Sequence, residues 1–78
     1  MSTTNRILRR QLDRELTNLE GQYLALRDLK SDGALAGLPM ATIVQFDDAV
    51  ESLAAAMQHL RNAISLLDAA TDIQNQQG

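Results

Sequence analysis

Few side chains in this sequence can do more than pack, and the first to weigh is His59, the single histidine. A general base or a metal ligand needs partners at defined spacing. His59 stands beside Gln58 without them and reads as a surface or rim histidine. The chain has no cysteine, so disulfides and thiolate metal sites are excluded. Ser2, Ser31, Ser52 and Ser65 have no positional claim on the histidine, and no catalytic triad can be assembled. Gly33 and Gly37 lack the surrounding glycine and lysine of a phosphate loop. Asp47, Asp48 and Glu51 cluster near the expected start of a helix, where the dipole favours negative charge. The cluster lacks the loop and the ligand number that calcium needs. No catalytic residue, metal site, cofactor or small-molecule substrate is expected.

One further group could do chemistry. Arg6, Arg10 and Arg14 recur every four residues with Arg9 close by, a spacing that lines one side of a helix and could contact a polyanion. No aromatic residue stands near them to stack a base. The alternative is a solvated face whose guanidinium stems cover apolar surface and whose charges pair with Asp13, Asp68 or Asp72. Residues 1 to 14 carry these four arginines against Asp13, a balance of +3, and the remainder sums to −6, giving the overall −3. Phosphates would be repelled by most of such a surface, so a nucleic-acid partner is disfavoured.

These residues must be positioned by very few elements. At 78 residues there is room for one domain, with a core too small to be very stable without a staple. With no disulfide available, oligomerisation or partner binding is the expected source of extra buried area. The apolar fraction is 45% but aromatics are only 3%, a mixture that favours helices over sheets. No signal-peptide stretch or membrane span is apparent, and a cytoplasmic location is expected.

The strong punctuation lies between Ser31 and Pro39. Gly33 suits the left-handed residue that closes a helix, and Pro39 the first turn of the next. The expected fold is all-α: an antiparallel hairpin of two long helices, about 4–31 and 39–73, joined by loop 32–38, with a frayed tail at 74–78. The Ser2-Thr3-Thr4 cluster can cap helix 1. Thr42-Ile43-Val44-Gln45 offers a capping box as an alternative start for helix 2.

Helix 1 carries an apolar stripe of Leu8, Leu12, Leu16, Leu19, Tyr23, Leu26 and Leu29, spaced by threes and fours. Ile43, Phe46, Val50, Leu53, Met57, Leu60, Ile64 and Leu67 alternate strictly by threes and fours in helix 2. In heptad lettering they occupy a and d. Ala49, Ala56, Ala63 and Ala70 fill the g positions beside that seam. An apolar strip this wide belongs to a helix with more than one neighbour.

A turn centred near residue 34 or 35 would set Tyr23 opposite Phe46, Leu19 opposite Val50, Leu16 opposite Leu53 and Leu12 opposite Met57. Leu66, Leu67, Ala70 and Ile73 would then overhang helix 1 and need another cover. A second copy would supply it, giving a four-helix bundle. In size and shape the hairpin resembles the plasmid copy-number regulator that dimerises into such a bundle, the small co-chaperones of type III secretion needles, and the small subunit of exonuclease VII. No motif aligns with any of them, and no functional residue is carried over.

The expected function is non-enzymatic: a homodimeric adaptor, regulator or small chaperone. Its self-association surface would comprise Ala49, Val50, Leu53, Ala56, Met57, Leu60, Ala63, Ile64, Leu67 and Ala70. One alternative is an accessory subunit covered by a different protein. Another is a nucleic-acid-binding regulator using Arg6, Arg9, Arg10 and Arg14.

Overall fold

A computed structural model describes residues 3–77, with side chains placed for residues 3–72. Helix α1 spans Thr3–Ser31 and helix α2 spans Met40–Gln77, and they pack as an antiparallel hairpin. Ser2, one candidate cap, lies outside the described residues. Gly21 sits inside α1 without breaking it, and a Cβ there would meet nothing within 4 Å. Helix α2 continues through Gln77, past its expected end at 73. No glycine or proline interrupts residues 71–77, and glutamine propagates a helix well; Gly78 lies outside the described residues.

The turn explains how the helices reverse. Ala34 N–H donates to the Leu29 carbonyl at 3.0 Å and Gly33 N–H to the Lys30 carbonyl at 3.1 Å. That paired pattern closes a helix around a left-handed residue, and Gly33 supplies it with φ of 83°. Gly37, at φ 80°, takes the same region within the Leu35–Leu38 turn, where Leu38 N–H reaches the Leu35 carbonyl at 3.2 Å. Helix α2 opens on Pro39, whose carbonyl accepts from Thr42 and Ile43. Thr42 therefore lies inside the first turn, and the alternative capping-box start is not used. Nothing crowds Gly33, so Gly33→Ala tests backbone strain alone. It should lower unfolding stability by about 1 kcal/mol, read as a shifted urea midpoint.

The register differs from the expected one. Turns continue through residues 32–37 before the chain crosses at Leu38 and Pro39, so the reversal is centred about four residues later than expected. Ion-paired residues accordingly add to 77, as in Arg9–Asp68 and Lys30–Asp47, or to 81, as in Glu20–Arg61. The expected pairings added to 69. Tyr23 therefore lines a cleft with Met57 and Arg61 instead of facing Phe46, and Phe46 lies with Arg27 and Lys30. Leu19 with Val50, Leu16 with Leu53 and Leu12 with Met57 are displaced likewise, by about one heptad. The same shift removes the overhang, because on this register Thr3 lies level with residue 74. Leu67 is half-buried rather than stranded beyond α1.

Packing follows the predicted seam. The half-buried and buried residues of α2 fall mainly at a and d, and those of α1 include Leu12, Leu16, Leu19, Tyr23 and Leu26. Met57 and Ile64, both at a, are the only buried hydrophobic side chains among the described residues. Leu8 and Leu29, expected in the stripe, are exposed at its two ends. The hairpin is a rod 61 Å long and 15 Å across, close to the ~57 Å rise of the 38 residues of α2.

Candidate functional site

The residues expected to mediate association divide into two groups. Val50, Leu53, Met57, Leu60, Ile64 and Leu67 form the hairpin's own seam, and none of them is exposed. The alanines lie beside that seam, with Ala49 and Ala70 exposed and Ala56 and Ala63 half-buried. Most of the a and d surface expected to meet a partner is thus already used within one chain.

The surface that remains has two broad faces of opposite character. Lettering α1 by its half-buried residues puts Arg9, Leu16, Tyr23 and Lys30 at a, and Asn5, Leu12, Leu19 and Leu26 at d. In an antiparallel pair the e positions of both helices share one face of the hairpin, and the g positions share the other. Of the 7 Lys and Arg and 10 Asp and Glu residues, Glu15 is the single one at c, d or g, while Asp32 lies in the loop. Every other charge is at a, b, e or f.

The ion pairs between the described helices follow that division. Glu20 and Arg61, both at e, approach to 3.2 Å. Lys30 reaches Asp47 at 2.7 Å, and Arg9 reaches Asp68 at 2.9 Å while also pairing with Asp13 on its own helix. Hydrogen bonds to Asp13 and then to Asp68 raise the Arg9 guanidinium above its ordinary value. These exposed pairs contribute little stability individually, but they align the two helices along the e face.

The face that carries Glu15 as its single charge is lined along α2 by the alanines, with Leu66 beside them at c, and along α1 by Leu8, Glu15, Gln22 and Leu29 at g. Leu8 is 42% exposed, Leu29 48% and Leu66 72%. His59 is also at c, close to mid-length, and exposed. Exposed apolar residues occur elsewhere too: Ile7, Leu24 and Val44 are scattered among the charges, and Leu38 and Met40 lie at the loop end.

The remaining candidates are placed as follows. Arg9 is committed to Asp13 and Asp68, which breaks the four-arginine group, and Arg6, Arg10 and Arg14 are exposed at e, b and f. Folding brings Asp68 and Asp72 to the arginine-bearing end. Asp47 pairs across the hairpin with Lys30 at 2.7 Å, while no such partner is seen for Asp48 or Glu51 among the described residues. Among the described residues no group of three His, Asp or Glu could hold a metal ion, and no helix is long and apolar enough to cross a membrane.

The apolar spacing alone places Leu8 and Leu29 on the seam and Leu66 on an overhang, whereas the structure exposes all three beside the alanines. The signal that would have found them is the charge pattern of α1. Lettered like α2, it carries its acids and bases on the same side of the heptad. No family model, no curated protein and no solved structure matches this chain.

Proposed function

We propose that this chain is a non-enzymatic, cytoplasmic protein-interaction module, a hairpin that pairs into a four-helix bundle and serves as an adaptor, regulator or small chaperone. The observation that carries the reading is the thinness of its core. Among the described residues, two buried hydrophobic side chains, Met57 and Ile64, accompany eight large hydrophobics that are between 41% and 72% exposed. A chain of this size with so little buried apolar surface sits near the limit of independent stability. Association adds buried area without adding chain length. The isolation of His59, and the pairing of Asp47 and Arg9 within the hairpin, support packing over catalysis as the task of this surface.

Sedimentation equilibrium on the purified chain tests the proposal. The expected result is a mass twice that of one chain, with a melting temperature that rises with protein concentration. A single-chain mass together with cooperative, concentration-independent melting would overturn it. Aggregation with non-cooperative melting would point to a different protein as the cover.

A further inference from the structure

We propose that the c, d and g face, whose single charge is Glu15, is covered by a second copy of this chain lying antiparallel, so that the loop end of each hairpin meets the open end of the other. The inference rests on the interaction reading above and adds to it the face, the occupant and the orientation.

The face follows from charge. Burying an unpaired charge costs several kcal/mol, whereas burying alanine, leucine or a paired amide does not. Docking on the e face would desolvate the ion pairs of Arg9, Lys30 and Arg61. Docking on the opposite face meets Glu15 as its single carboxylate. A rod 61 Å by 15 Å presents a footprint of about 900 Å² on that side, comparable to the ~800 Å² per partner of a stable interface.

The occupant follows from self-complementarity. When two such faces meet antiparallel, the two-fold axis crosses the rod at its middle and lays α2 on α2 and α1 on α1. Ala49 then lies level with Ala70 of the second copy, and Ala56 with its Ala63. The large Leu66 falls level with the gap between Ala49 and Ala56 opposite. Along α1, Leu8 comes level with Leu29, and Glu15 with Gln22, whose amide can donate to the carboxylate. The same spacing thus matches on both helices at once.

The orientation follows from charge along the rod. At the loop end Arg27 and Lys30 stand against Asp28, Asp32, Asp47, Asp48 and Glu51, a balance of −3. At the open end Arg6, Arg9, Arg10 and Arg14 balance Asp13, Glu15, Asp68 and Asp72. Parallel docking would set two such loop ends side by side, within the ~8 Å screening length of physiological salt. Antiparallel docking separates them by most of the 61 Å rod. Parallel docking would also lay α2 over α1 and part the two alanine columns.

The test uses the absence of cysteine. Ala49→Cys and Ala70→Cys, both at exposed positions, are made separately, spin-labelled and measured by pulsed dipolar spectroscopy. Each alone should give an inter-copy distance of about 32 Å, the rise of 21 residues of helix. Mixing the two should add a distance under about 20 Å from the mixed dimers, at 1.5 Å rise per residue and little axial offset. A short distance within Ala49→Cys alone would overturn the orientation while leaving a homodimer standing. A dimer whose mixed sample shows no short distance would overturn the face. Loss of all inter-copy coupling, with single-chain mass for the unlabelled parent as well, would remove the homodimer and this inference together; single-chain mass for the labelled variants alone, with a parent of twice that mass, would mean that the labels crowd the face proposed here and would support it.

Discussion

Ile64→Asp is expected to abolish cooperative unfolding and most of the helical circular dichroism at room temperature. Ile64 is 8% exposed and, with Met57, is one of the two buried hydrophobic side chains among the described residues. A carboxylate there either stays ionised without a partner or is forced to bind a proton, and each outcome costs several kcal/mol. A domain of this size has only about 3–5 kcal/mol to lose, so the substitution removes all or most of it. Two controls separate burial from helix propensity. Ile64→Val, which deletes one methylene, should cost about 1 kcal/mol and keep a sharp transition. Val44→Asp, at a site 45% exposed in the first turns of α2, should cost about 1 kcal/mol or less. If Ile64→Asp melted as sharply as the parent, the a and d seam would not be where the stability resides.

The second large effect concerns association. Leu66→Glu should weaken pairing of two copies by at least about 100-fold, or ~2.7 kcal/mol, and shift the sedimenting species to single-chain mass. Leu66 is 72% exposed on the hairpin, so within one chain the change is close to neutral, about 0.5 kcal/mol or less in either direction. Its cost arises only if another surface covers it, because a charge would then be desolvated with no partner. Ser65→Glu is the matched control: the neighbouring residue is exposed but points to the charged side, and its substitution should leave the mass unchanged. Equal masses for the parent and Leu66→Glu would move the interface off this face. Helical content measured on the same samples separates dissociation from unfolding.

Both expectations depend on a division of labour that the seam itself creates. The hairpin spends its a and d residues on holding two helices together. What is left for a partner is the face from which charge has been withheld. The ion pairs Glu20–Arg61, Lys30–Asp47 and Arg9–Asp68 keep the opposite face in water and form at the alignment that the loop sets. The arginine group fits this account without a polyanion, since folding supplies Asp68 to Arg9 and sets Asp72 at the same end.

Local features were legible in the amino-acid sequence because they repeat over one or two turns. The strict three-four alternation from Ile43 to Leu67 marks the buried side of α2, Gly33 marks the left-handed closure of α1, and Pro39 marks the start of α2. Each depends on contacts within a few residues, so each survives whatever the rest of the chain does. Register was not legible. A heptad seam matches its partner equally well at every step of seven, and the choice among those steps is made by the loop. Residues 32–37 continue to wind past the end of α1 instead of reversing at once, which slides α2 by about one heptad, pairs Tyr23 with Met57, and erases the expected overhang. The contrast between the two faces was likewise a tertiary property. Helix 2 carried heptad letters in its sequence, but α1 takes its letters from the residues that packing buries, and only antiparallel packing brings e to e and g to g, gathering the charges on one side and leaving Leu8, Leu29, Leu66 and the alanines on the other.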